Sequence, residues 1–118
     1  VYFRQCSLEV TVADLAVLSA TLSMDGRNPV TGEMVLPRKI CRTVRALMAT
    51  CGLYDGSGAF AMKVGLPAKS GVGGGIIASV PGIMGIAVCG PSLDNQGNSI
   101  AGIALLERIS DEFGLRVL

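Results

Sequence analysis

Residues 70–93 carry no charged side chain. By length alone, such a run can span a bilayer. Its glycines and prolines decide against a continuous helix: Gly71, Gly73, Gly74 and Gly75 open it, and Pro81 and Pro91 interrupt it. Pro81-Gly82 lies between two β-branched runs and marks a turn. The stretch therefore reads as two buried strands, residues 75–80 and 83–88, in a soluble chain with no membrane partner.

The rest of the chain fits a single folded unit. It has 118 residues, of which 50% are hydrophobic and 16% charged, and the mean hydropathy is +0.55. Disorder needs the opposite balance. So apolar a composition calls for a large buried area, inside the domain or against something outside the chain. Ten basic and nine acidic residues leave a net charge of +1. That gives no basic footprint for nucleic acid.

The absence of histidine excludes His-based triads and His-ligated metals within these residues. Cys6, Cys41, Cys51 and Cys89 form no C-x-x-C pair, so no metal site is expected. An even count permits disulfides, but small buried thiols of a reducing compartment are the expectation, which places the chain in the cytoplasm.

Three helices are expected. Thr11 can cap the first, with Asp14 three residues on, and Val12, Leu15, Ala16, Leu18 and Leu22 forming its apolar side before Gly26. The second begins at Pro37 and stops at Gly52. Its apolar positions are Ile40, Val44, Leu47, Met48 and Cys51, and most of its cations lie off that face. The third runs over residues 99–113, with Asn98 as cap and Gly114 as terminator; it is apolar nearly all round from Ile100 to Leu106 and is expected to be buried there. Residues 60–64 read as a short extended piece. The order of helices, strands and a final helix gives an α+β fold, with helices packed on an antiparallel sheet.

Several familiar motifs fail. Gly56-Ser57-Gly58-Ala59-Phe60-Ala61 has the letters of a dinucleotide fingerprint, but follows a helix end, and the next acid is Asp94. Ala68-Lys69-Ser70 lacks the glycines of a phosphate loop, and no G-x-S-x-G elbow surrounds any serine. Residues 94–98 lack the closing acid of a calcium loop.

One constellation remains. Lys69-Ser70-Gly71 stands directly before the glycine-rich strand. In serine acyl-transfer enzymes of the penicillin-recognising type, a Lys-Thr/Ser-Gly strand lines the site. There the cation and hydroxyl meet a carboxylate, and the glycine admits substrate to the backbone. Around it stand Tyr2-Phe3-Arg4-Gln5-Cys6-Ser7, Pro29-Val30-Thr31-Gly32-Glu33, Cys51-Gly52-Leu53-Tyr54-Asp55, Gly65-Leu66-Pro67-Ala68 and Leu93-Asp94 with Gly97-Asn98-Ser99. In this order and spacing the chain resembles the serine-dependent glutaminase family, from Tyr2 to about Gly102.

The resemblance implies hydrolysis of L-glutamine to L-glutamate and ammonia on a β-lactamase/transpeptidase-like fold, with no cofactor and with homo-oligomers common. It implies that Tyr2 contacts the bound amino acid. Tyr54 is implied as the substrate contact and catalytic proton-transfer residue, and Val72 as an oxyanion-hole donor through its backbone N–H. Lys69 and Ser70 are secondary contributors. A phenol titrates near 10, so a basic Tyr54 would need a cation close by.

The family's nucleophile belongs to an S-x-x-K motif, and none exists here: Leu36, Phe60 and Leu66 precede Lys39, Lys63 and Lys69 by three places. Residues 1–118 therefore read as the C-terminal portion of a single glutaminase catalytic domain. Lacking its other segments, the chain is expected to be inactive in isolation, and to expose apolar surface that binds a hydrophobic dye or self-associates. The alternative is a non-catalytic interaction or assembly fragment derived from a glutaminase. A β-lactam- or peptide-processing enzyme would share only Lys69-Ser70-Gly71.

Overall fold

The computed structural model describes all 118 residues. Five helices and three strands follow in the order α1 (Tyr2–Cys6), α2 (Val12–Ser23), α3 (Arg38–Cys51), α4 (Ser57–Lys63), β1 (Ala68–Ser70), β2 (Gly75–Val80), β3 (Met84–Cys89) and α5 (Ile100–Phe113). The strands form one antiparallel sheet in the order β1-β2-β3. The α+β expectation holds, and β2 has its expected bounds.

The pleat of the sheet divides the core in two. Ile76, Ala78 and Val80 of β2 join Ala68, Val88, Phe60 and Leu106 in the main cluster, beneath α4 and α5. On the opposite face, Ile77 packs against a smaller cluster of Leu22, Cys41 and Met48 from α2 and α3. The site described below lies at the β1 end of this layered arrangement.

Helix α2 starts as expected. The Thr11 hydroxyl accepts from the Asp14 N–H at 3.1 Å, and Asp14 accepts the Thr11 N–H at 2.8 Å, a reciprocal capping box. These bonds hold the Asp14 carboxyl below its ordinary range, the backbone bond from Thr11 foremost. Small residues let α2 lie close on the sheet. Ser19 donates to the Ala78 carbonyl at 2.6 Å, and the Ser23 and Ser79 hydroxyls meet at 2.7 Å. A Cβ on Gly85 would stand 2.0 Å from the Ala20 nitrogen, so only glycine fits beneath the helix.

At the far end of α2, Asp25 bonds Arg45 at 2.9 Å and Arg38 at 2.6 Å. Arg45 also donates to the Leu22 carbonyl. Here a cation of α3 serves as the cap of α2 instead of facing water.

Five expectations need correction. Residues 60–64 do not extend: most belong to α4, whose Phe60 enters the main core. Pro37 caps α3 from just outside, with extended backbone (ψ 141°), and β3 begins one residue later than expected. Ser99 caps α5, not Asn98, by accepting the Gly102 N–H at 3.0 Å. The apolar first turns of α5 are buried on one side only: Gly102 and Leu106 are inside, whereas Ile100, Ala101 and Leu105 are exposed. The terminator Gly114 does adopt the left-handed conformation, φ 62°.

All four cysteines are free, and of these only Cys41 is buried. Burial raises its thiol above the ordinary range. No helix is long and apolar enough to cross a membrane.

Candidate active site

The sequence-predicted residues Tyr54, Lys69, Ser70 and Val72 converge at the exposed end of β1, while Tyr2 stands apart. The three residues of β1 alternate, sending Ala68 and Ser70 into the main core and Lys69 to the α2/α3 face. Lys69 pairs with Ile77 in the antiparallel register. It lies between two openings. One, of about 430 Å³, is lined mainly by apolar residues of α2 and α3, among them Leu18, Leu47 and Met48. The other, of about 390 Å³, runs past Gly71 and Gly73 toward Leu15 and Cys89.

Beyond Ser70 the chain turns back to β2. The Gly71 carbonyl accepts the Gly74 N–H at 3.0 Å, which leaves Val72 and Gly73 at the turn centre. Neither of their N–H groups donates to another group of the chain, and both residues are exposed. Val72 is 73% exposed. The turn is fixed at its far side by Gly74, φ 92°, where a Cβ would lie 2.4 Å from the Gly90 carbonyl oxygen.

Tyr54 opens a short 3₁₀ turn, Tyr54–Gly56, just after α3. Its φ is 53°, a left-handed backbone that an aromatic residue adopts only under constraint. Ser57 supplies part of that constraint: its hydroxyl accepts the Leu53 N–H at 3.0 Å and donates to the Tyr54 carbonyl at 2.8 Å. The Lys69 ammonium stands 4.8 Å from the centre of the Tyr54 ring and donates to the Ser70 carbonyl. The Tyr54 hydroxyl bonds no other group of the chain.

Gly97 joins Tyr54 to Val72. A Cβ there would be 3.8 Å from both the Tyr54 ring and a Val72 methyl, and its φ of 86° suits glycine. The loop carrying it is built by Asp94, whose carboxylate accepts the N–H groups of Gln96 at 2.8 Å and Asn98 at 3.0 Å.

Ser70 is buried, and its hydroxyl donates to the Asn98 side-chain oxygen at 2.6 Å. Asn98 in turn donates to the Leu53 carbonyl at 3.1 Å. Sequence reasoning read Asn98 as a helix cap and gave Gly97 no role, although both lie in the Gly97-Asn98-Ser99 segment on which the resemblance rests.

Tyr2 is 72% exposed on α1 and meets Phe3 edge-on at 5.9 Å. Helix α1 makes only local hydrogen bonds, and nothing brings Tyr2 to Tyr54. No cluster of three His, Cys, Asp or Glu side chains is placed to hold a metal ion. The grouped elements are thus an unpaired backbone N–H, a free phenol and an ammonium at the exposed end of β1. They can stabilise developing negative charge and pass a proton.

The chain is similar to known proteins over its whole length. The family model described as Glutaminase matches residues 1–118. A glutaminase of Clostridium tetani is 57% identical over 98% of this chain, which covers 38% of that protein. Glutaminase 2 of Clostridium perfringens is 55% identical with the same coverage. Among solved structures, the covalent complex between a Bacillus subtilis glutaminase and 5-oxo-L-norleucine superposes with a TM-score of 0.94 at 41% identity, over 99% of this chain and 42% of that one. The chain therefore spans well under half the length of the relatives it matches.

Proposed function

Because this chain belongs to the glutaminase family, we propose that it supplies the C-terminal portion of a catalytic domain that hydrolyses L-glutamine to L-glutamate and ammonia. The nucleophile in this reading is a serine outside residues 1–118, which contain no S-x-x-K. The serine oxygen bonds to the γ-carbonyl carbon and gives up its proton. The carbonyl oxygen then carries negative charge, toward which Val72 donates its backbone N–H. The C–N bond breaks, the nitrogen takes a proton and ammonia leaves. Water cleaves the resulting ester, returning glutamate and the free serine.

Tyr54 has the proton-transfer role, as the exposed phenol beside the Val72 turn with its hydroxyl uncommitted. Lys69 sets positive charge over the face of its ring. Tyr2 would meet the amino-acid end of the substrate once other segments of the domain close over α1. What carries this reading is the pairing of Val72, its N–H unpaired, with Tyr54 on either side of Gly97. One such donor is worth about 10²–10³ in turnover where it has been removed. The same reading takes the protein as a cytoplasmic homo-oligomer whose assembly covers the exposed Ile40, Leu47 and Leu105.

The test is reaction of the polypeptide that carries these residues, together with the segments found in its relatives, with 6-diazo-5-oxo-L-norleucine. Peptide mapping should find the adduct on a serine outside residues 1–118, with loss of glutamine turnover. An adduct inside these residues, or none with turnover absent, would contradict the proposal.

A further inference from the structure

We infer that Asn98 is a positioning residue: with Ser70 it forms a buried clamp that fixes the backbone bearing Tyr54 relative to the turn bearing Val72. This rests on the catalytic reading above and extends it to two buried side chains.

Asn98 is fully buried. The Leu53 carbonyl can only accept, so the side-chain NH₂ must face it, and the side-chain oxygen is left to accept from Ser70. One amide thus spans two segments far apart in sequence. Leu53 immediately precedes Tyr54, and Ser70 immediately precedes the turn centred on Val72. The 3₁₀ turn also packs against the clamp, since a Cβ on Gly56 would lie 3.0 Å from the Asn98 nitrogen. A backbone bond closes the same junction, from the Ser70 N–H to the Gly52 carbonyl at 3.1 Å.

The clamp accounts for how Tyr54 keeps a backbone conformation that its side chain disfavours. If Ser70 is lost, the Asn98 side-chain oxygen is left as an unsatisfied buried acceptor; if Asn98 is lost, Ser70 keeps only its longer bond to the Gly52 carbonyl at 3.4 Å; either way the junction loosens. Tyr54 and Val72 then lose their mutual placement, which acts on turnover more than on binding.

The experiment compares Asn98→Ala, Ser70→Ala and Ser70→Thr in the glutamine-hydrolysing polypeptide. Ser110→Ala serves as control, because the Ser110 hydroxyl is equally buried and bonds the Val64 carbonyl at 2.6 Å, in a separate part of the core. Each variant is read by urea midpoint, steady-state kinetics on L-glutamine, and amide exchange at Leu53 and Ser70. Asn98→Ala and Ser70→Ala should lower kcat by about tenfold or more with KM nearly unchanged, and should speed exchange at both amides. Ser70→Thr should restore kcat, and Ser110→Ala should lower the midpoint without lowering kcat.

Turnover in Ser70→Ala that merely tracks Ser110→Ala, or exchange at Leu53 and Ser70 that does not change, would overturn the clamp. If the unaltered polypeptide hydrolyses no glutamine while exchange rises in the variants, the clamp stands and the glutaminase reading fails.

Discussion

The Lys69 ammonium lies 4.8 Å from the centroid of the Tyr54 ring, the one cation–π pair in the chain. It links β1 to the turn after α3 on the exposed side, opposite the buried bonds of Asn98. A cation over a tyrosine face contributes about 0.5–1 kcal/mol at a partly exposed site, a factor of about 2–5. Lys69→Met should therefore lower kcat on glutamine by about that factor. Lys69→Arg should retain most of the activity, since a guanidinium also stacks on aromatic faces. Steady-state kinetics of the two variants side by side check this; equal losses would assign Lys69 a role that depends on the ammonium itself.

Glycines under α2 and in α4 should respond in opposite directions. Gly85→Ala places a methyl 2.0 Å from the Ala20 nitrogen, backbone that cannot swing aside. Overpacking of this kind costs about 1–3 kcal/mol or more. Gly58 has open space around its Cβ position within α4. Gly58→Ala should stabilise by about 0.4–1 kcal/mol through helix propensity and a stiffer unfolded chain. Urea unfolding of both variants gives the comparison.

The elements most legible in the sequence are those set by neighbours in the chain. Thr11 and Asp14 sit three residues apart and cap one another; Pro81-Gly82 turns between two apolar runs; Gly114 ends α5. Residues 60–64 misled because Phe60 to Val64 look like a strand. The segment is helical because Phe60 and Val64 reach the core beneath α5 and Ser57 ties its start to Leu53.

Asn98 and Ser99 are both good capping residues, so local pattern cannot choose between them. The choice is made by Ser70 and Leu53, tens of residues away. The gathering of Tyr54, Lys69 and Val72 was legible through the resemblance, whereas Tyr2 stays apart from them within this chain.

Asp25 should make stability depend on pH in the acid range. Its bond to Arg45, with the charge of Arg38 added, holds its carboxyl below the ordinary aspartate range. A depressed carboxyl contributes stability that is fully present above the ordinary value near 4 and fades as pH falls through its folded value. Asp25→Asn should thus lower the urea midpoint at pH 7, and the gap from the unaltered protein should narrow progressively below about pH 4. A gap that stays constant down to pH 2 would mean that the loss comes from packing or from the left-handed backbone at Asp25, φ 54°, instead of from charge.

Turnover of L-glutamine by Tyr54→Phe, in the polypeptide that carries these residues with their nucleophile, tests the central claim most directly. The Tyr54 hydroxyl bonds nothing within the chain, so its removal should leave the unfolding midpoint unchanged. A group that moves a proton in the rate-limiting step contributes about 10²–10⁴ to the rate, and kcat should fall by that order with KM little altered. Undiminished turnover in a folded Tyr54→Phe protein would contradict the assignment of Tyr54 as the proton-transfer residue of this site.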